Sequence, residues 1–181
     1  MLKLIIDGIK AGIMIAIGGS VFLSCENRYI GAILFSVALL CICLKGYSLF
    51  TGKVGYLPEN HSKEAVKILL CGLLGNIVST ILLGFAVSFA NPALGEAAKV
   101  ICEAKLSQEA LQTFVRAFFC VPVFILSGFE HSIANMFYFG ASGMINLDSI
   151  VYLAVVIAGN SVGGMAMPIL NILGKGEPKN A

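Results

Sequence analysis

Charge is scarce in this chain. Only 12% of its 181 residues are Asp, Glu, Lys or Arg, while 58% are hydrophobic. A soluble domain of this length cannot hide so much apolar sequence, and several runs reach the roughly 20 residues that cross a bilayer. The net charge of +2 offers nothing for nucleic acid to bind. The six Cys (25, 41, 43, 71, 102 and 120) show no paired metal-ligand spacing. Cys41-x-Cys43 sits in an apolar run, where small packing residues belong. Histidine occurs twice, and His61 falls in a polar loop. At membrane depth only His131 and Glu130 stand together, too few ligands for a metal site or an intramembrane metalloenzyme. No enzyme, metal or cofactor is expected. Leu23-Ser24-Cys25 faintly resembles a lipoprotein cleavage site, but the chain beyond it is membrane-type rather than a soluble passenger.

What remains is an all-α integral membrane protein of one domain. Five apolar segments are expected, over residues 4–23, 29–50, 65–90, 113–139 and 150–173. Gly8, Gly12, Ala16 and Ser20 recur every fourth residue and make a smooth helix-packing ridge. Gly72, Asn76, Thr80 and Gly84 make a second stripe, with Asn76 bonding a neighbouring helix or loop. Phe35 and Leu39 stack one turn apart. Lys45, Gly46 and Gly52 at the end of the second run suggest a broken helix; the other reading is an ordinary helix end with a snorkelling lysine. Residues 93–112 carry Glu96, Lys99, Glu103, Lys105 and Glu109 among apolar residues, the pattern of an amphipathic surface helix. Lysine placement puts the N-terminus on the cytoplasmic side.

The fourth run holds the most unusual stretch, residues 127–139. Glu130, His131 and Asn135 are costly groups at membrane depth and by default mark function there. Ser127-Gly128 before them looks like a helix break. A faint repeat ties this region to the first half: Gly75-Asn76-x-Val78 recurs as Gly159-Asn160-x-Val162. Each pair follows a broken-helix candidate, one at Thr51 and one at His131. Two halves, 1–92 and 93–181, are expected, as in transporters built from inverted repeats. By spacing, the counterpart of the first helix falls near residues 95–107, the charged stretch. That leaves five spans rather than six; five crossings would put the C-terminus outside and conflict with an inverted pair, so either residues 93–112 cross after all, shielded by neighbouring subunits, or the architecture is altered.

The strings Leu49-Phe50-Thr51-Gly52, Gly128-Phe129-Glu130-His131-Ser132-Ile133-Ala134-Asn135-Met136-Phe137 and Gly159-Asn160-Ser161-Val162-Gly163-Gly164 resemble the formate–nitrite transporter family in the expected order. The resemblance implies an aquaporin-like helical bundle with two broken helices, assembled as a homopentamer. It also implies one pore per protomer for a small monovalent anion such as formate, nitrite, lactate or hydrosulfide. By motif, His131 resembles the family's central pore histidine, Thr51 its partner on the first broken helix, and Lys105 its vestibule lysine. Ser48 stands where a Glu is usual and Lys53 where an Asn is usual. Most of the family's fourth helix is missing after Cys120.

The chemistry expected of such a site is modest. A bare anion in an apolar pore carries a large desolvation penalty. Lys105 would draw the anion in, and Phe35, Leu39 and Phe124 would form the water-excluding rings. His131 would hydrogen-bond to a weak acid or exchange a proton with it. Glu130 is expected to accept from backbone N–H groups rather than relay protons, and Asn76 and Asn160 to hold loops rather than substrate. The alternative is a shortened relative that joins an assembly or binds without transporting.

Overall fold

The computed structural model describes residues 1–118 and 130–174, which are helical almost throughout. In chain order the helices are α1 (Leu2–Ser24), α2 (Arg28–Lys45), α3 (Phe50–Lys53), which runs into a 3-10 turn (Val54–Tyr56), α4 (Lys63–Ala90), α5 (Pro92–Leu106), α6 (Ala110–Phe118), α7 (Ser132–Ser142) and α8 (Leu147–Gly174). Local chemistry sets the boundaries. Asn27 caps α2 by accepting from the Tyr29 amide at 2.9 Å. Gly46, at φ +67°, ends α2 in a left-handed turn that a side chain would strain. Ser62 caps α4, and Asn91 caps α5 with Pro92 in the first turn. The second run is therefore broken: α2 stops at Lys45 and the chain resumes as α3 at Phe50. The stretch expected as one amphipathic helix is also two, because α5 ends at Leu106 and α6 starts at Ala110. α5 is amphipathic as expected, burying Gly95, Ala98 and Cys102 and exposing Lys99, Val100 and Glu103.

Among the described residues, four helices are long and apolar enough to cross a membrane: α1, α2, α4 and α8. α1 and α4 pack in parallel through small residues. Gly8 meets the Gly72 backbone, and four residues on Gly12 meets Ser79. A side chain at Gly75 would strike the Ile5 carbonyl and the Ile9 amide. α6 and α8 repeat the arrangement. A side chain at Gly159 would strike the Phe114 carbonyl and the Phe118 amide, and one at Gly163 would strike the Phe118 carbonyl. Such close backbone approach is how membrane helices gain van der Waals contact without a hydrophobic driving force.

The correspondence extends to hydrogen bonds. The Ser48 amide donates to the Asp7 carbonyl at 3.2 Å, and the Glu130 amide donates to the Arg116 carbonyl at 3.3 Å. Asp7 and Arg116 are 109 positions apart, as are Ile5 and Phe114, whereas Ser48 and Glu130 are 82 apart. The residues that take α1's role in the second set are thus in α6, not at 95–107 as spacing suggested. The shift from 109 to 82 means that 27 residues present in the first set are absent from the second. Between Ile9 and Ser48 lie residues 10–47, most of α1 and all of α2; between Phe118 and Glu130 lie only residues 119–129. At 1.5 Å per residue, eleven residues give a helix of about 16 Å, far short of a span out and a span back.

The expected fourth span, residues 113–139, is not one helix. α6 runs parallel to α8 and reaches Gly163 with Phe118, near the middle of α8. α7 starts beside Asn160, also mid-way along α8, and runs antiparallel until Phe139 meets the ring of Tyr152. The α6–α7 pair is a hairpin that enters and leaves at one end of the bundle. That end is where α4 finishes, since Gly84 packs on Phe137 and Ala141. α8 starts from the same end and finishes at the end where α1 and α4 begin. Leu2 and Gly174 therefore lie at the same end of the bundle, where a count of five crossings sets them at opposite ends. The helix break expected at Ser127-Gly128 and the kink at Pro122 fall outside the described residues.

Candidate functional site

Two asparagines build the centre of the bundle. Asn76, mid-way along α4, accepts from the Phe50 amide at 2.9 Å through Oδ1. Its Nδ2 donates to the Gly8 carbonyl at 2.8 Å and the Ser48 carbonyl at 3.0 Å. Asn160, mid-way along α8, accepts from the Ser132 amide at 2.8 Å. Its Nδ2 donates to the Ala117 and Glu130 carbonyls, both at 2.8 Å. Each side chain thus bonds the residue before and the residue after a helix start, and ties that start to a carbonyl of the adjoining helix. Broken helices expose backbone groups that hydrocarbon cannot satisfy, and these amides satisfy them. Asn76 and Asn160 are loop holders in geometry, as expected of them, and both are buried.

The held helix starts bring Thr51 and His131 together. His131 Nε2 lies 2.9 Å from Thr51 Oγ1, and both residues are buried. His131 is also the cap of α7: its Nδ1 accepts from the Ala134 amide at 3.2 Å. An acceptor at Nδ1 places the proton of the neutral ring on Nε2, so Nε2–H donates to the Thr51 hydroxyl oxygen. A doubly protonated ring would set Nδ1–H against the Ala134 N–H and forfeit the cap.

Glu130 does not take the role expected of its side chain. Its Oε2 accepts from Lys105 Nζ of α5 in an ion pair and from Asn135 Nδ2 at 2.9 Å, and among the described residues from no backbone amide. Lys105 is therefore not on a solvated helix face: its side chain is 14% exposed, against 2% for Glu130. Nor does His131 pair with Glu130, the bland structural reading of two adjacent polar residues. Ser48 occupies in the first set the place of Glu130 in the second, and its hydroxyl is buried without a hydrogen-bond partner among the described residues.

The other expected residues are more dispersed. Phe35 is buried, packed where α1 carries Gly18, and Leu39 is half-buried one turn on. Gly52 is exposed with open space beside its α-carbon, so packing does not demand a glycine there. Phe124 and Gly128 lie outside the described residues. Two features had no reading in sequence. The Lys105–Glu130 pair joins residues 25 positions apart with no local pattern between them. Arg116 interrupts an apolar run, a signal that intramembrane charge is worth asking about.

Residues 1–121 match the model of the formate/nitrite transporter family. The chain is similar to the uncharacterized transporter YwcJ of Bacillus subtilis (strain 168), at 24% identity over 220 aligned positions covering 92% of this chain and 86% of the relative. Among solved structures it superposes on an FNT family ion channel with a TM-score of 0.81 at 20% identity, covering 97% of this chain and 91% of the other. It also superposes on a pentameric formate channel with formate bound, with a TM-score of 0.72 at 23% identity, covering 96% and 98%. At these identities the structural likeness speaks for the fold, and the family model speaks for descent. By a match over more than half its length, and by a bundle of the same fold, the chain belongs to the formate/nitrite transporter family.

Proposed function

We propose that this chain forms a transmembrane pore for a small monovalent anion of the formate, nitrite, lactate or hydrosulfide type. It is a multi-pass membrane protein of a transporter family, not an enzyme. The observation that carries the reading is the buried Thr51–His131 pair, set where two helix starts meet and where each start is pinned by its own asparagine. A pore that passes a weak-acid anion needs a donor at its driest point, because desolvation of the bare anion opposes entry. His131 offers Nε2–H there, oriented by Thr51 from the other half. A weak-acid anion held by this hydrogen bond and protonated from water, with the ring staying neutral, crosses the apolar rings, of which Phe35, Leu39 and Phe124 are the candidates, as the neutral acid. Lys105 lines the wider cavity at the bundle end, where, with its own charge matched by Glu130, it offers an anion hydrogen-bonding N–H groups rather than a free charge.

The helix directions support the following membrane arrangement. Four crossings, made by α1, α2 continued by α3, α4, and α8, combine with a re-entrant α6–α7 hairpin. Loss of a helical hairpin as a unit keeps the direction of α7 and α8, so halves 1–92 and 93–181 remain an inverted pair. The N-terminus is cytoplasmic by lysine placement, and the C-terminus joins it there. Exposed apolar residues on α2, among them Ile33, Leu40 and Leu44, suit lipid or a neighbouring protomer. The pentameric formate channel supports a homopentamer.

The short link of residues 119–129 favours a second reading, a relative that assembles but does not conduct. Proteoliposome flux separates the two. Uptake of formate, nitrite, lactate or hydrosulfide above protein-free vesicles is the result the pore requires. A folded, correctly inserted preparation that passes none of them supports the non-transporting reading.

A further inference from the structure

At the end of the bundle where α1 finishes there is an open-mouthed cavity of about 450 Å³, lined by α1, the start of α2, α5, α6 and α7. Its volume corresponds to about 15 waters at roughly 30 Å³ each. That is much more room than a formate-sized anion needs, and it falls in the range of sites for organic ligands and large oxyanions. Three cationic side chains line it, Arg28, Lys105 and Arg116, against one carboxylate, Glu130. Glu130 is already matched by Lys105. Neither arginine has an ion-pair partner among the described residues.

Two further polar groups line the same space without a partner. The Tyr138 hydroxyl and the Gln108 side-chain oxygen are buried and make no hydrogen bond among the described residues. Tyr138 is 4% exposed, so its hydroxyl depends for a partner on what fills the cavity. A buried hydroxyl left unpaired costs about 1–3 kcal/mol, so its retention beside two guanidiniums calls for an acceptor.

From this we infer that the cavity is a binding site for a small dianion of the sulfate or phosphate type, held by Arg28 and Arg116 and by the Tyr138 hydroxyl. The charge left after the Lys105–Glu130 pair is +2, which a dianion neutralises and a monovalent anion does not. Guanidinium groups suit planar and tetrahedral oxyanions by donating two parallel N–H bonds. The site is distinct from the Thr51–His131 pair, which does not line the cavity. The inference goes beyond the transport reading and stands whether or not the pore conducts.

Cys25, on the same wall and partly exposed, is a built-in reporter. Purified protein in phospholipid-free detergent is treated with N-ethylmaleimide over a sulfate titration, at constant ionic strength kept with sodium chloride. Labelling is read at Cys25 by peptide mass spectrometry, with exposed Cys43 as the internal control. The expected result is saturable protection of Cys25 by sulfate, none at Cys43, and none by formate at the same ionic strength. Arg28→Gln, at the exposed start of α2, is expected to raise the half-protecting concentration at least tenfold. The double variant with Arg116→Gln is expected to abolish protection. Absence of saturation in the natural protein overturns the inference, as does unchanged protection in a folded Arg28→Gln variant. Protection by phosphatidic acid in nanodiscs but not by free sulfate also overturns it, because the cavity would then hold a lipid headgroup.

Discussion

Replacing Asn160 by alanine removes three hydrogen bonds of 2.8 Å at once and leaves the Ser132 amide and the Ala117 and Glu130 carbonyls buried without that partner. Polar contacts inside membrane proteins average about 0.6 kcal/mol each, which sets a lower figure of about 2 kcal/mol for the three. Buried groups stripped of a partner cost about 1–3 kcal/mol apiece in general. A loss of about 2–4 kcal/mol is expected. The assay is reversible unfolding in mixed sodium dodecyl sulfate and maltoside micelles, followed by circular dichroism. Ser161→Ala is the control, since its hydroxyl bonds only the Ile157 carbonyl one turn back in its own helix. The control is expected to stay within about 0.5 kcal/mol of the natural protein. Asn76→Ala breaks the matching three bonds in the first half and is expected to cost a similar amount. Unfolding of Asn160→Ala within about 0.5 kcal/mol of the control refutes the role given to the asparagine, because so small a loss is typical of surface changes.

Other expectations follow from the same geometry. Lys105→Met strands the buried Glu130 carboxylate with Asn135 as its one remaining side-chain partner among the described residues and is expected to cost about 3–5 kcal/mol. Adding Glu130→Gln removes the stranded charge, so most of that loss is expected to return in the same unfolding assay. For the topology, reporter fusions at the two chain ends are expected to report one side of the membrane. A C-terminal fusion on the opposite side from an N-terminal one would mean that α6 and α7 do not form a re-entrant hairpin.

The sequence made much of this architecture legible because its signals were local. Apolar runs marked the spanning helices, and Gly46 and Pro92 marked ends. The Gly75-Asn76 and Gly159-Asn160 pairs marked the two centres, because a side chain on either glycine would strike a neighbouring helix backbone. What misled was the assumption of one constant offset between the halves. The asparagines are 84 positions apart, but the α1 and α6 residues they engage are 109 apart. Twenty-seven residues fewer in the second set change the offset within a half, and the bonds made by Asp7 and Arg116, with those of Gly8 and Ala117, reveal it. The partner of Glu130 was also hidden. Its carboxylate could have met His131, a backbone amide or a lysine, and the choice of Lys105 depends on how α5 docks against α7. The Thr51–His131 approach was suggested by motif likeness, and the 2.9 Å separation gives it a physical basis.

The central claim is that His131 serves the pore through Nε2 and not merely by starting α7. His131→Asn separates the two roles, because asparagine is among the best helix caps yet is too short to reproduce the imidazole's Nε2–H at Thr51. Formate uptake into proteoliposomes, measured side by side for the natural protein and His131→Asn at equal incorporation, tests the claim directly. Uptake by the natural protein, and its loss in a variant that unfolds within about 1 kcal/mol of it, is the predicted result. Equal uptake by the two contradicts the account.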